Sequence, residues 1–270
     1  MNIFKGKTIL LSFISILSVS LLLSGCGKEN ARDNDLLSQV KDSGTLKVGV
    51  MGTYAPYNFL NDKKQMDGFD VDIAKEVAKG LGVKAKFVSQ EFSGMIPGLK
   101  SKKFDAVISQ MTITDERKKQ MDFTQPYITN DVKIIVKQNN NTIKSLQDFK
   151  GKNVGVGLGT NDETYLRTKV LPQVGQFKIK TYDDVITSLK DLDAGRIDAT
   201  VNNIYALQPI VEKNGFKLKT VGEPIKSDKA AIAVRKGNKT FVKALDKALT
   251  DMKKDGTYDK IFNKWFGNSK

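Results

Sequence analysis

Hydrophobic and polar residues alternate along this chain with two different periods, which predict strands and helices in turn. Residues 46–50 alternate as a half-buried strand does, whereas the apolar positions of 73–81 recur three and four residues apart, as on one face of a helix that Asp70 would cap. Residues 83–88 and 106–108 have the apolar pattern of further strands. This succession of strand and helix favours a mainly parallel sheet with helices on its faces.

A second succession of the same kind follows. Its strands are predicted at 132–136, 154–156, 199–201 and 230–234, with helices between them and two more helices at the end of the chain. Two such units predict two lobes, one made of residues 42–131 and 230–270, the other of residues 132–229. Because ligands of open α/β sheets bind beyond the carboxyl ends of the strands, the gap between the lobes is the predicted binding site.

The first 25 residues have the pattern of a secretion signal. Two lysines precede an apolar run at 9–23, and two small residues then lead to Cys26. The alternative, a transmembrane anchor, needs ~20 mostly apolar residues, whereas this run is shorter and interrupted by serines. We therefore predict a signal peptide at 1–25, a lipid on Cys26 and a flexible tether at 26–41. The mature protein would lie on the extracellular face of the cell membrane, lipid-anchored in the Gram-positive manner.

The composition excludes several kinds of chemistry. The chain has no histidine and a single cysteine, so it has no internal disulfide, no Ser-His-Asp or Cys-His catalytic set and no histidine-ligated metal site. No enzyme activity, metal or cofactor is predicted, although carboxylate or lysine chemistry stays open. The net charge is +14, but the lysines are dispersed and no basic-aromatic pattern is present. We therefore expect a solubilising surface, or one that lies against an anionic cell envelope, and no nucleic-acid partner.

Polar residues are densest at 109–117, directly after a predicted strand. Thr114 suits the N-cap of a short helix, but Arg117 does not suit its first turn, where the helix dipole disfavours a cation. Local rules tend to be broken at functional sites, and the planar fork of arginine forms two parallel bonds with a carboxylate. A carboxylate clamp at Arg117 and a solvated arginine paired with Glu116 or Asp122 are both open on spacing alone.

Two further segments follow predicted strands. The glycine-rich stretch 155–161 lacks the pattern of a phosphate-binding loop or of a dinucleotide fingerprint, which leaves a plain turn or a helix start that holds an anion. Tyr54 and Phe92 stand where an aromatic ring packs against the aliphatic part of a ligand, or simply in the core.

Ordered motifs along nearly the whole mature chain carry a family resemblance. They read GTYAPY at 52–57, GFDVD at 68–72, TITDER at 112–117, GRID at 195–198, KDGT at 254–257 and KWFG at 264–267. With these motifs the chain resembles the polar amino-acid-binding family of extracellular solute-binding proteins, the capture subunits of ABC importers. The resemblance implies a two-lobed, type II periplasmic-binding-protein-like α/β fold. In this fold, two doubly wound sheets are joined by two crossing hinge strands and close on one amino acid.

The resemblance also implies which residues bind the ligand. Arg117 would clamp the α-carboxylate, and Tyr54 and Phe92 would flank the ligand's side chain. Residues on both sides of the cleft would complete the site. The full implied set is Tyr54, Phe92, Ser109, Gln110, Thr112, Arg117, Thr160, Asn161, Asp162 and Asn203.

Within the family, three segments most resemble cystine binders: QMT at 110–112, VGVGLGTN at 154–161 and TYDD at 181–184. One position departs from the family pattern. Many relatives have an aspartate that pairs with the ligand's α-ammonium, and this chain has Asn203 there. An amide still accepts a hydrogen bond but without the assistance of charge, so Asp162 is our candidate substitute.

The function implied by the resemblance is a monomeric, membrane-tethered receptor that binds an L-amino acid and delivers it to a permease. L-cystine is the first expectation, and another polar amino acid such as glutamine is the alternative. Two rival functions are an enzyme on the same scaffold, which would need a desolvated acid in the cleft, and a cell-surface adhesin, which would use the basic surface.

Overall fold

Eight strands form one mixed sheet at the centre of the structure, a computed structural model that describes residues 35–267. The strands along the chain are β1 (Thr45–Val50), β2 (Thr53–Tyr54), β3 (Asn58–Leu60), β4 (Met66–Asp67), β5 (Lys84–Ser89), β6 (Ala106–Val107), β7 (Met121–Lys137), β8 (Asn153–Gly157), β9 (Lys178–Tyr182), β10 (Ala199–Asn203) and β11 (Leu218–Arg235). The spatial order in the large sheet is β5, β1, β6, β11, β7, β10, β8 and β9. Strands β2, β3 and β4 form a separate small antiparallel sheet.

Helices connect these strands and cover the sheet. They are α1 (Leu36–Asp42), α2 (Phe69–Gly80), α3 (Met95–Lys100), α4 (Asp115–Gln120), α5 (Asn161–Tyr165), α6 (Leu171–Val174), α7 (Val185–Asp193), α8 (Ile204–Asn214), α9 (Lys239–Lys254) and α10 (Thr257–Phe266). Short 3-10 helices occur at Phe92–Gly94 and Leu146–Phe149, and a π-helical segment at Leu166–Val170 joins α5 to α6.

Two long antiparallel strands, β7 and β11, join the two halves of the sheet. On one side β1 pairs in parallel with β5 and β6, and on the other side β8 pairs in parallel with β9 and β10. We call the half that contains β1, β5 and β6 lobe 1, and the half that contains β8, β9 and β10 lobe 2. This is the predicted α/β class with two crossing strands. The two half-sheets are hydrogen-bonded into one because β7 and β11 belong to both. The exact residue limits of the lobes stay a prediction.

Helix α2 shows how the apolar periodicity produces the fold. Ile73, Ala74 and Val77 are fully buried against lobe 1, as the spacing predicts, and each large apolar side chain so buried contributes about 1.5–3 kcal/mol. The predicted N-cap is wrong: Gly68 occupies that position, and Asp70 lies in the first turn with its side chain fully buried. Asp70 therefore has another role, described below.

The segment before β1 differs in part from the predicted tether. Residues 36–41 of that tether lie in helix α1, where Leu36 and Val40 are buried and Asp35 accepts a hydrogen bond from the Leu37 N–H as N-cap. The predicted signal peptide, Cys26 and the first part of the tether lie outside the described residues. From residue 35 to residue 267 no helix is long and apolar enough to cross a bilayer.

Candidate functional site

A pocket lies between the two lobes, at the carboxyl ends of their strands. Such strand ends are where ligands of open α/β sheets bind, because polar side chains and loops converge there. Lobe 1 contributes Met51, Tyr54, Phe92, Gln110 and Thr112, and the crossing strand β11 contributes Asp228. The remaining lining residues belong to lobe 2: Gly157, Leu158, Thr160, Asn161, Asp162, Tyr182, Asp183, Asp184, Val185, Ser188, Thr200, Val201, Asn202 and Asn203.

Arg117 is not among the residues that line this pocket, but it is buried beside two of them, Thr112 and Phe92, with only 6% of its surface exposed. Thr114 caps helix α4 by accepting a hydrogen bond from the Arg117 N–H at 3.2 Å. The guanidinium then turns back: Nη1 donates to the Thr112 carbonyl at 2.9 Å, and the group lies 5.4 Å from the centre of the Phe92 ring. The alternative of a solvated surface arginine is therefore wrong.

The Arg117 guanidinium has no carboxylate within ion-pair distance among residues 35–267. A buried cation without a counter-ion is costly, and burial lowers the pKa of Arg117 to about 10. Its charge is nevertheless retained at neutral pH. A ligand carboxylate at this position would supply the missing charge and accept two parallel hydrogen bonds.

Tyr54 forms the other aromatic wall and connects the two lobes. Its hydroxyl donates to Asn202 Oδ1 at 2.7 Å and accepts from Asn203 Nδ2 at 3.1 Å, so both asparagines hold Tyr54 from lobe 2. Arg117 makes a second contact of this kind, because its Nη2 donates to the Gly159 carbonyl of lobe 2 at 3.2 Å. These bonds show the pocket in a closed arrangement of the lobes.

The glycine-rich turn after β8 brings the backbone of lobe 2 close to that of lobe 1. Gly159 has φ +74°, and a Cβ added there would lie 3.0 Å from the Cα of Ser93. The N–H groups of this turn are already used in part: Gly159 donates to Glu163 Oε2 at 2.8 Å, and the Glu163 N–H donates to Thr160 Oγ1 at 3.2 Å. The turn therefore serves close packing of the lobes and offers its carbonyl to Arg117, rather than a set of free N–H groups to an anion.

A cluster of two acids and a lysine lies on the side of the pocket formed by lobe 2 and β11. Asn161 Nδ2 donates to Asp228 Oδ2 at 2.7 Å, and Lys226 Nζ donates to the same oxygen at 2.6 Å. Lys226 Nζ also lies 2.6 Å from Asp162 Oδ1, so the lysine forms ion pairs with both acids. Burial raises the pKa of Asp162, and Lys226 opposes that rise.

The structure brings most of the predicted ligand-binding residues together. Those that line the pocket are Tyr54, Phe92, Gln110, Thr112, Thr160, Asn161, Asp162 and Asn203. Arg117 lies beside Thr112 and Phe92, as described. Ser109 is not brought to the pocket: it is fully buried and accepts hydrogen bonds from the Met51 N–H at 3.1 Å and from Asn58 Nδ2 at 3.2 Å, so it supports the loop that carries Met51.

A buried polar network behind the pocket was missed at the sequence level. Asp70 accepts hydrogen bonds from Asn58 Nδ2 at 2.7 Å, from Gln110 Nε2 at 2.6 Å and from the Tyr127 hydroxyl at 2.9 Å. Burial raises the pKa of Asp70 to about 7 in spite of these three donors. The network holds Gln110, a pocket residue, in a left-handed conformation with φ +53°.

The crossing strand supplies the other residues that the sequence reasoning missed. Asp228 lines the pocket, and Lys226 reaches it from two positions earlier on β11. Residues two apart in a strand lie on the same face, so the polar pair Lys226 and Asp228 was available as a signal. The Lys-Ser-Asp-Lys run gave no reason to distinguish such a pair from an ordinary solvated strand end.

Comparison with known proteins identifies the family. Residues 46–268 match the bacterial extracellular solute-binding proteins, family 3. The chain belongs to this family. This solute-binding protein is 41% identical over 257 residues to the L-cystine-binding protein TcyJ of Escherichia coli strain K12, with 95% of each chain covered. It is 35% identical over 270 residues to the L-cystine-binding protein TcyA of Bacillus subtilis strain 168, with 97% of this chain and 98% of TcyA covered.

A solved structure agrees with this assignment. An ancestral arginine-binding protein bound to arginine shares 46% sequence identity with this solute-binding protein and superposes with a TM-score of 0.79. The match covers 83% of this chain and 99% of the ancestral protein. The expected family and the two-lobed amino-acid-binding fold are thereby confirmed.

Proposed function

We propose that this protein is the substrate-binding component of an amino-acid ABC importer and that it captures L-cystine in the pocket between its lobes. One observation carries the proposal: the buried Arg117 has no carboxylate partner within residues 35–267, and it contacts Thr112 and Phe92 of a pocket that Asp162 and Asp228 also line. Separated sites for an anion and a cation match the two ends of a zwitterion. The likeness to two L-cystine-binding proteins over nearly the whole chain supports cystine as the ligand.

In this proposal each end of the ligand has its own residues. The α-carboxylate binds Arg117, with Thr112 and Gln110 beside it on lobe 1. The α-ammonium binds Asp162, an acid of lobe 2 that lines the pocket and takes the place of the aspartate that many relatives have where this chain has Asn203. Tyr54 and Phe92 enclose the ligand between them.

Ligand binding then favours the closed lobes. Thr160, Asn161 and Asp162 belong to lobe 2, whereas Arg117 belongs to lobe 1, so only the closed state offers the ligand both sets of contacts. A ligand shifts an equilibrium by the difference in its affinity for the two states, and here that difference is large. Closure also removes water from the pair formed by Arg117 and the carboxylate, which strengthens their attraction.

The proposal includes the place of the protein in the cell. Lipidation at Cys26, after removal of residues 1–25, would hold a monomeric receptor on the outer face of the membrane beside its permease. The two lysines and the apolar run that precede Cys26 support this anchor. The permease would recognise the surface that the two lobes form together when closed.

Binding rather than catalysis is the role we favour. The named L-cystine relatives are binding proteins, and the pocket holds no histidine or cysteine. Asp70, whose pKa burial raises to about 7, accepts hydrogen bonds from Asn58, Gln110 and Tyr127 and does not line the pocket. The desolvated acid that does line the pocket, Asp162, is paired with Lys226 and, in this proposal, binds the ligand ammonium.

A melting-temperature screen tests the proposal. The protein is unfolded and refolded to strip carried-over ligand and is then heated with each member of an amino-acid panel that includes L-cystine and L-glutamine. We expect L-cystine to raise the melting temperature most, since a ligand at a hundredfold excess over its dissociation constant adds ~2.7 kcal/mol to the free energy of unfolding. If only L-glutamine raises the melting temperature, then L-glutamine and not L-cystine is the ligand. If every amino acid leaves the melting temperature unchanged, the proposed function is refuted.

A further inference from the structure

Lys226 is held at the ammonium side of the pocket by contacts from three directions. Its Nζ lies 2.6 Å from Asp162 Oδ1 and 2.6 Å from Asp228 Oδ2, and it lies 5.7 Å from the centre of the Tyr165 ring. The three charged side chains are 14–17% exposed, so solvent screens them only in part. Lys226 is therefore part of the pocket's charge rather than a surface lysine.

The position of Lys226 follows from the register of the crossing strand. On β11, Lys226 pairs with Val132 and Asp228 pairs with Asn130 of β7, in one uninterrupted stretch. Side chains two positions apart project from the same face of a strand, so both point towards Asp162. Lys229, an exposed lysine one position further along, belongs to the opposite face.

These residues give the pocket a defined balance of charge. Asp162 and Asp228 carry two negative charges, Lys226 cancels one of them, and Arg117 at the carboxylate side supplies one positive charge. The acids and Arg117 share one electrostatic environment, since both acids raise the pKa of Arg117 against the effect of burial. These four groups sum to zero, with one negative charge left over at Asp162 and Asp228 and one positive charge at Arg117. Asp183 and Asp184 also line the pocket, but Asp183 is exposed and Asp184 accepts two hydrogen bonds from Thr187 as the N-cap of α7, so solvent and Thr187 stabilise their charges.

We propose that Lys226 is a specificity-determining residue: by neutralising one of the two acids, Asp162 and Asp228, it tunes the pocket to an amino acid without net charge and disfavours a cationic one. The inference rests on the proposed function, since it assumes a zwitterionic ligand between Arg117 and Asp162. It goes beyond that function because it assigns the choice between neutral and basic ligands to a residue that is not among the pocket-lining side chains.

Removing the charge of Lys226 is expected to change which ligand is preferred, not only how tightly the pocket binds. Without the lysine, two acids face one ligand ammonium, and a second positive charge on the ligand becomes favourable. At the effective dielectric constant of a partly buried site, one added unit charge several ångströms away changes an affinity by roughly tenfold or more. A neutral amino acid gains no such attraction for its side chain.

The experiment measures dissociation constants for L-cystine and L-arginine by calorimetry. The proteins are wild type, Lys226→Met, Lys226→Arg and Lys229→Met, where Lys226→Arg keeps the charge and Lys229→Met removes the same charge from the opposite face of β11. We expect the ratio of the two constants to move about tenfold or more towards L-arginine in Lys226→Met, and to stay near the wild-type value in the other two variants.

The outcomes separate the inference from the function on which it rests. If wild type binds L-cystine but a folded Lys226→Met leaves the ratio unchanged, the inference is overturned and the proposed function stands. If wild type binds neither amino acid, the proposed capture of L-cystine is refuted and the inference fails with it. Should Lys226→Met fail to fold, Asp162→Asn tests the same charge balance by removing one acid instead of the lysine. The ratio of the dissociation constants for L-cystine and L-arginine is then expected to move away from L-arginine. An unchanged ratio overturns the inference.

Discussion

Closure of the lobes over the ligand is tested most sharply at Gly159. A methyl group there would lie 3.0 Å from Ser93 Cα and 3.3 Å from Ser93 Cβ, whereas carbon atoms in contact stay ~3.5–4.0 Å apart. Gly159→Ala therefore requires the lobes to move apart by a few tenths of an ångström in the closed state. Overpacking of this kind costs about 1–3 kcal/mol. Because Gly159 and Ser93 belong to different lobes, that cost falls on the closed state alone.

We therefore expect Gly159→Ala to weaken L-cystine binding about 10-fold to 100-fold, which corresponds to about 1.4–2.8 kcal/mol. The assay is calorimetric titration, paired with thermal melting of the ligand-free protein. Alanine at φ +74° also costs about 1–2 kcal/mol of stability in either state, and this effect has to be separated from the clash.

Gly151→Ala is the matched control for that separation. Gly151 has the same φ of +74°, also lies in lobe 2, and would have no atom within 4 Å of the added methyl group. We expect it to lower the melting temperature about as much as Gly159→Ala while leaving the affinity for L-cystine unchanged. Equal affinities of the two variants, whether both unchanged or both weakened, would refute the reasoning that closure brings Gly159 against lobe 1.

Two further predictions concern other contacts. Tyr54→Phe removes the hydroxyl that bonds lobe 1 to lobe 2, so we expect calorimetry to show L-cystine affinity lower by about fivefold (~1 kcal/mol). Tyr258→Phe is the control, because it removes a hydroxyl bonded within lobe 1. It should lower stability and leave the affinity for L-cystine unchanged. Burial raises the pKa of Asp70 from 3.8 to about 7, so between these values the folded protein retains a proton that the unfolded chain releases. The free energy of unfolding should therefore fall as the pH rises from about 4 to about 7, by at most ~4 kcal/mol, and level off above. Denaturant titrations at several pH values should show this slope in wild type and not in Asp70→Asn, and an equal slope in both would count against the assignment.

Much of the fold was predictable because its elements are long and their periods differ. The strands β1, β5, β6, β8 and β10 and the buried face of helix α2 appear directly in the apolar spacing, whereas the edge strand β9 was missed. The short strands β2, β3 and β4 were missed, since two or three residues are too few to show a period. Strand β7 begins at Met121, before the predicted strand, because its first residues pair with β11 across sequence separations that no local pattern contains.

The candidate site was predictable where a residue broke a local rule. Arg117 stands in the first turn of a helix against the dipole, and the structure buries it at the pocket. Asp70 obeys a local rule and was misassigned for that reason: a short acidic residue at a helix start suits an N-cap, whereas here it accepts three hydrogen bonds inside the protein. Its donors are 12 to 57 residues away along the chain, and only the folded backbone brings them together.

The most direct test of the account is a calorimetric titration of Arg117→Ala with L-cystine. Loss of the guanidinium leaves the ligand carboxylate buried without a partner, which costs several kcal/mol, so we expect binding to weaken at least 100-fold. Arg196→Ala removes the same charge from a side chain that is 60% exposed and should bind as wild type does. If Arg117→Ala binds L-cystine with wild-type affinity, no carboxylate binds at this arginine and the proposed site is wrong.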